Sequence, residues 1–152
     1  MILVITHADD TITVASYDKE ENIPMILSKL EHAYLITKGL EVRVPFKSWK
    51  LMEDDKVIKD REFRNAWRAD GDSVKIDINH AKEIHKHRLR YFRKPLLEAL
   101  DIEYQKADET QDSAKKAEIA AKKRALRDIT KHPLIEGAET IEDLKKVKLD
   151  GN

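Results

Sequence analysis

Leu89-Arg-Tyr-Phe-Arg-Lys-Pro-Leu-Leu-Glu-Ala-Leu-Asp-Ile-Glu-Tyr-Gln-Lys-Ala107 decides how the second half of the chain folds. Leu89, Phe92, Leu96, Leu100, Tyr104 and Ala107 recur every three or four positions, which is the apolar stripe of an α-helix. Pro95 interrupts it. A proline inside a helix loses a hydrogen bond and clashes with the preceding turn, at roughly 3 kcal/mol or more. The stretch is therefore expected to kink there or to form two helices in line. Upstream, Asp77 or Asn79 can cap a helix starting near His80. Downstream, Asp108–Ser113 is polar and fits a helix–helix connection of ~2–8 residues. A second helix is expected from about Asp112 to Asp128. In it Ala114, Ala117, Ala121 and Ala125 mark a small-residue face flanked by Leu126 and Ile129. That face is expected to pack closely on the Leu/Phe/Tyr stripe as an antiparallel α-hairpin. Lys131-His-Pro133 stops the second helix, and Thr140 can cap a last short one, Ile141 to Val147, with Leu144 facing inward.

Outward from the hairpin, the first half differs in kind. Tyr17, Tyr34, Phe46, Trp49, Phe63 and Trp67 lie there, whereas residues 78–130 are rich in Ala, Lys, Arg, Glu and Leu. Met1-Ile-Leu-Val-Ile5 and the alternating Thr11-Ile-Thr-Val-Ala15 read as a β-hairpin turned at His7-Ala-Asp-Asp10. Asn22–Leu30 reads as a short helix, with Asn22 as cap and Pro24 in the first turn. Ile23, Ile26, Leu27 and Leu30 share one of its faces. Tyr34–Thr37 and Glu41–Val44 are strand candidates on either side of Gly39. Trp49 to Ile58 reads as strand then loop. Phe63–Trp67 reads as a strand leading to Asp70-Gly71, and that pair followed by Ser73–Ile78 predicts a final hairpin or an extended arm. The expectation is an α+β chain. A small N-terminal mixed β-rich domain, 1–77, precedes a C-terminal antiparallel helical hairpin and short terminal helix, 78–152.

Composition removes several function classes. The chain has 152 residues, with 29 basic and 29 acidic side chains, 38% charged and 41% apolar. Without cysteine there is no disulfide framework, thiol nucleophile, Cys-zinc site or iron–sulfur cluster. Apolar runs reach about five residues, far short of the ~20 of a membrane helix. No secretory signal pattern opens the chain. Zero net charge argues against a generic nucleic-acid coat. Gly39, Gly71, Gly137 and Gly151 are too scattered to cradle a phosphate. His85 and His87 differ by about 200° around a helix, and His80 and His87 stand ~10 Å apart along it. Neither pair has the i, i+4 spacing of a helical zinc site, so these read as solvated helix histidines. Asp9-Asp10 and Asp54-Asp55 read as turn formers, and no serine sits in a nucleophile elbow. The expectation is a non-enzymatic protein with no cofactor and no metal.

Residues 82–94 mix Lys82, Lys86, Arg88, Arg90, Arg93 and Lys94 with Tyr91 and Phe92. Cations interleaved with aromatics suit a nucleic-acid surface. The plainer reading gives the aromatics to the core and the cations to the wet face of the helix. Trp67, beside Arg68, suits an interface anchor or its own domain's core.

Arg61–Gly71, Ile76–His85, Arg88–Asp101 and Ala125–Asp128, in that order, resemble a family of small bacteriophage and prophage proteins. These accompany tail or tail-fibre genes, and some are similar to phage tail assembly chaperones. The resemblance spans about residues 61–147. Arg90–Phe92 departs from it, replacing a smaller, more Ala-rich stretch. The resemblance implies a tail-module role without a reaction and supplies no catalytic residues. The implied partner is a phage tail or tail-fibre protein. The hairpin by itself can present a groove or join another copy through the helical region as a coiled coil, and the short apolar runs predict no membrane contact. The implied location is the host cytoplasm during assembly, or the virion tail. Trp67, Arg68, Leu89, Arg90, Phe92, Leu96 and Leu100 are the contact positions expected. The alternative is a nucleic-acid-binding module built on the basic helix.

Overall fold

The computed structural model describes residues 1–38 and 46–149, with side chains described for 1–30 and 46–149. The fold is α+β, and the chain divides into two compact units, Met1–Asp77 and Ile78–Asn152.

In the first unit β1 (Ile2–Thr6) is the middle of a three-stranded antiparallel sheet, between β2 (Ile12–Ala15) and β3 (Ser48–Met52). Leu3 pairs with Ala15 on one side and Leu51 on the other. Side chains alternate across a strand. Leu3 and Ile5 thus point to one face and pack with Ile23, Ile26, Leu27 and Leu30 of α1 (Ile23–Lys38). Val4 points to the opposite face, into a cluster with Met52, Val57, Trp67 and Val74. A strand covered on both faces reads as an unbroken apolar run, which is why Met1–Ile5 does not alternate. Leu3, Val4 and Ile5 are at most 1% exposed. Burying each contributes about 1.5–3 kcal/mol.

The β1–β2 turn closes as Asx chemistry requires: the Asp9 carboxylate accepts from the Thr11 N–H at 3.1 Å, and Asp10 takes the left-handed φ of 62°. Ahead of α1, Asn22 belongs to a 3₁₀ turn and is not a side-chain cap. Its amide donates to Asp18 Oδ1 at 2.7 Å, and the Lys19 N–H donates there at 2.9 Å. The Asn22 bond, then the Lys19 bond, holds the Asp18 carboxyl below its ordinary range. The strand expected at Tyr34–Thr37 is instead the end of α1. Once a helix is nucleated each added residue gains a hydrogen bond, so growth overrides a short β-prone stretch. The next strong breaker in the sequence is Gly39. Glu41–Val44 lies outside the described residues.

The strand expected from Phe63 starts only at Trp67. Arg64–Ala66 is a 3₁₀ turn, tied by Ala66 N–H to Phe63 C=O at 2.8 Å. β4 (Trp67–Asp70) and β5 (Ser73–Ile76) form the second hairpin. Gly71 has φ of 58° at the first loop position, the pattern of a type II′ turn, where a residue with a Cβ would be strained. Trp67 and Val74 put this hairpin on the Val4 face of the sheet.

The second unit is helical. α2 (Ile78–Glu109) runs as one helix of 32 residues through Pro95, rather than as two helices in line. Pro95 lies on the exposed side of the helix. α3 (Ser113–Asp128) is capped by Asp112, whose side chain accepts from the Lys115 N–H at 2.9 Å. After a 3₁₀ turn at Ile129–Lys131 come α4 (Pro133–Glu136) and α5 (Ile141–Lys145). Thr140 and Asp143 form a reciprocal capping box at α5. α5 stops two residues short of the expected Val147, and Leu144 is fully buried. No helix among the described residues is long and apolar enough to cross a membrane.

Candidate functional site

The candidate surface lies on the α2–α3 hairpin, and it follows from how the two helices meet. The packed side of α2 is Ala81, His85 and Leu89, which are buried, then Arg93, Leu97, Leu100 and Tyr104, which are half-buried, then buried Ala107. These recur at spacings of three and four, the seam of one helix on another. On α3 the facing residues are Lys116, Ile119, Lys123 and Leu126, with Ile119 fully buried.

The Ala face expected in this seam is on the other side. Ala114, Ala117, Ala121 and Ala125 are all exposed. Ile119 and Leu126, seven residues apart, carry more apolar area than the alanines, and they set which side of α3 turns inward. The two lysines on the same side of α3, Lys116 and Lys123, pack by their stems. Their ammonium groups stand over the Tyr104 ring, Lys116 at 5.7 Å and Lys123 at 5.5 Å from its centroid. Lys116 also pairs with Asp108 at 2.5 Å, and Lys123 pairs with Asp101. The Asp108 hydrogen bond raises the Lys116 pKa.

Long-range contacts from four side chains of α2 fasten the rest of the unit. The Arg93 guanidinium donates to the carbonyls of Leu126 at 3.2 Å and Arg127 at 2.6 Å. A cation there satisfies the carbonyls left open at the end of α3 and opposes its dipole. Lys82 donates to the Glu136 carbonyl at 2.6 Å, and Lys86 pairs with the carboxylates of Glu136 at 2.6 Å and Glu83 at 3.1 Å. Glu136 first, then Glu83, holds the Lys86 pKa above its ordinary value, while Lys86 holds Glu136 below its own. His85 is buried, not solvated, and bonds the Val147 carbonyl through Nε2 at 3.0 Å. A carbonyl only accepts, so Nε2 carries the proton. Of the cations in 82–94, Lys82, Lys86 and Arg93 are therefore committed within the unit.

Among the outward residues of α2 are four large apolar ones. Tyr91 is 73% exposed, Ile102 55%, Phe92 46% and Leu96 40%. The Tyr91 and Phe92 rings meet edge to face at 5.4 Å. At 3.6 residues per turn these four, with Pro95 and Ala99 between them, fall within about 140° of arc. Single exposed apolar residues are ordinary; a run of them on one side of a helix marks a contact surface.

The expected contact positions thus separate. Arg90, Phe92 and Leu96 are exposed and share α2 with the row. Leu100 is half-buried in the seam, and Leu89 is buried in it. Trp67 is 3% exposed in the core of the first unit, so it anchors that core and cannot reach a partner while the unit is closed. Arg68 folds back, donating to the carbonyls of Trp67 at 2.8 Å and Asn65 at 3.1 Å and facing Asp77 at 3.8 Å. Tyr91 and Ile102 are not among the expected contact positions. Ile102, set between Asp101 and Glu103 and off the Leu89–Ala107 stripe, is the sequence signal for them. Among the described residues no group of three or more His, Asp and Glu gathers as a metal site. No protein-family model, no curated protein and no solved structure matches this chain.

Proposed function

We propose that this protein is a non-enzymatic tail-module protein of a phage or prophage that works by protein contacts. An assembly chaperone for the tail fibre is favoured over a structural tail component. The observation that carries the contact reading is the exposed row Tyr91, Phe92, Leu96 and Ile102 on a hairpin that is otherwise closed. The hairpin needs none of these four for its own seam, so their burial is left for a partner. The tail assignment is supported by the resemblance over residues 61–147. A chaperone must bind an immature partner better than the finished structure, and a row on one helix suits a groove or helix that assembly later covers.

The test is capture of the tagged protein from phage-infected or prophage-induced cells, beside mass spectrometry of purified virions. Fibre protein in the capture and absence from virions is the expected result. Presence in virions at a fixed ratio makes it a tail component instead. Recovery of neither, with nucleic acid in the eluate, overturns the tail reading in favour of the basic helix. That binding should then weaken steeply between about 50 and 200 mM salt.

A further inference from the structure

We infer that the β4–β5 hairpin is a latch over the three-stranded sheet: it opens as a unit while the sheet stays folded, and carries Trp67 from the core into solvent. The Trp67 indole is where the argument starts. Its Nε1–H is buried and has no hydrogen-bond partner. The ring lies in the cluster with Val4, Met52, Val57 and Val74, and a thioether is at most a weak acceptor. A buried donor left unpaired disfavours the closed state by roughly tenfold against a state in which water accepts from it. The carbon surface of the ring gains from burial, so the N–H is the group on Trp67 that opening relieves.

The fastening of the hairpin points the same way. Within itself it is closed at both ends. At its base the Asp77 N–H donates to the Ala66 carbonyl at 2.8 Å, and Arg68 faces Asp77 at 3.8 Å. Toward its tip Lys75 pairs with Asp70, and the Ser73 hydroxyl donates to the Asp70 carbonyl at 3.1 Å. To the sheet it is held differently. Among the described residues, no strand of the hairpin is hydrogen-bonded to a strand of the sheet. Side chains make the attachment: Trp67, Val74 and Ile76 in the Val4 cluster, and Lys50 with Asp72 at 3.1 Å. That ion pair joins exposed groups, and such pairs add little. Along the chain, two 3₁₀ turns and no strand or α-helix lie between Met52 and Trp67. On the other side Asp77 alone separates β5 from α2, so the latch is also the piece to which the second unit is joined. β1, in contrast, is paired on both edges and covered on both faces. A piece held by side chains alone opens before a strand held in this way.

Amide hydrogen exchange of the full chain, followed by NMR, tests this. A two-stranded hairpin is marginal on its own in water, so its ladder amides lose protection once it leaves the sheet. Ala66 and Asp77 are a hydrogen-bonded pair, and antiparallel alternation makes Arg68 and Lys75 the next such pair. The Arg68 and Lys75 amides and the Trp67 indole N–H should share one opening constant. It should exceed that of the Leu3–Ile5 amides by about a hundredfold or more. Trp49→Phe, at an exposed position outside the Val4 cluster, identifies the Trp67 indole signal. Placing benzothienylalanine at position 67 keeps the ring shape but puts sulfur where the N–H stood. Opening should then become about tenfold rarer, with no loss of protection in β1. A Trp67 that only fills space would move the hairpin and β1 together. Hairpin amides that exchange only with those of β1 overturn the latch. An analogue that leaves the opening constant unchanged, or raises it, overturns the part given to the indole N–H and the proposal with it.

Discussion

The two units solve opposite problems with their apolar residues. The first turns them inward. β1 is covered on both faces, by α1 and by the β4–β5 hairpin, and Met25 and Trp49 are the kind of isolated apolar exposure any surface has. The second holds its hairpin with a narrow seam, using Ile119, the Tyr104–lysine contacts and Arg93 at the end of α3. It leaves Tyr91, Phe92, Leu96 and Ile102 outside on α2. The lesson is that a seam built from long amphipathic side chains frees large apolar ones for contact, which a layered β core does not.

The contrast can be broken most severely at its two centres. Leu3→Ala should destabilise the first unit by ~2–5 kcal/mol through lost burial and a cavity. Denaturant unfolding followed by tryptophan fluorescence reads it, since Trp49 and Trp67 both lie in that unit. Ile119→Ala should cost the hairpin ~2–4 kcal/mol, read from the helical circular-dichroism transition. If instead Ile119→Ala were neutral, the seam would not be where the hairpin gets its stability.

Smaller effects sharpen the comparison. Thr140→Ala removes one half of the capping box and should cost the second unit ~1 kcal/mol. The other half gives a pH signature. The Lys146 contact, then Thr140, lowers the Asp143 pKa to about 2. A carboxyl depressed on folding stabilises above its ordinary value of 3.8, and that contribution is lost as pH falls through about 2. The stability gap between the wild type and Asp143→Asn should therefore close across that window in a pH series of unfolding curves. Smallest of all, Ala121→Leu should change stability by less than about 0.5 kcal/mol, because the alanine face is outside. A loss of several times that in a thermal melt would put the alanines back in the seam.

Much of this is legible in the sequence where one local rule acts alone. The Asp9–Asp10 turn, the Asp70-Gly71 hairpin and the Thr140 cap are each fixed by residues within four positions of the backbone they serve. The departures arise where the deciding partner is distant or the competition is global. Tyr34–Thr37 has strand propensity but follows a helix that has no reason to stop. The faces of α3 cannot be ordered by residue size alone, because lysine stems serve as packing surface beside Ile119. His85 looks like any helix histidine until Val147 supplies its carbonyl. The stripe groups Phe92 and Leu96 with the residues that pack inward, but both are exposed, and Tyr91 and Ile102 join them on the outside only once the true inner face of α2 is known.

The His85–Val147 bond spans 62 positions of sequence. The α2–α3 contacts begin a few residues apart at the Thr110–Asp112 turn and lengthen steadily away from it. Closing a longer loop costs more chain entropy, so this unit is built to zip outward from its turn and to fasten the clasp last. By the same logic the clasp is the first part to open in the folded protein. Backbone amides around α5 and Val147 should exchange with solvent sooner than those at Ala107 and Ile119, giving a gradient of protection that runs along the hairpin from its turn to its clasp.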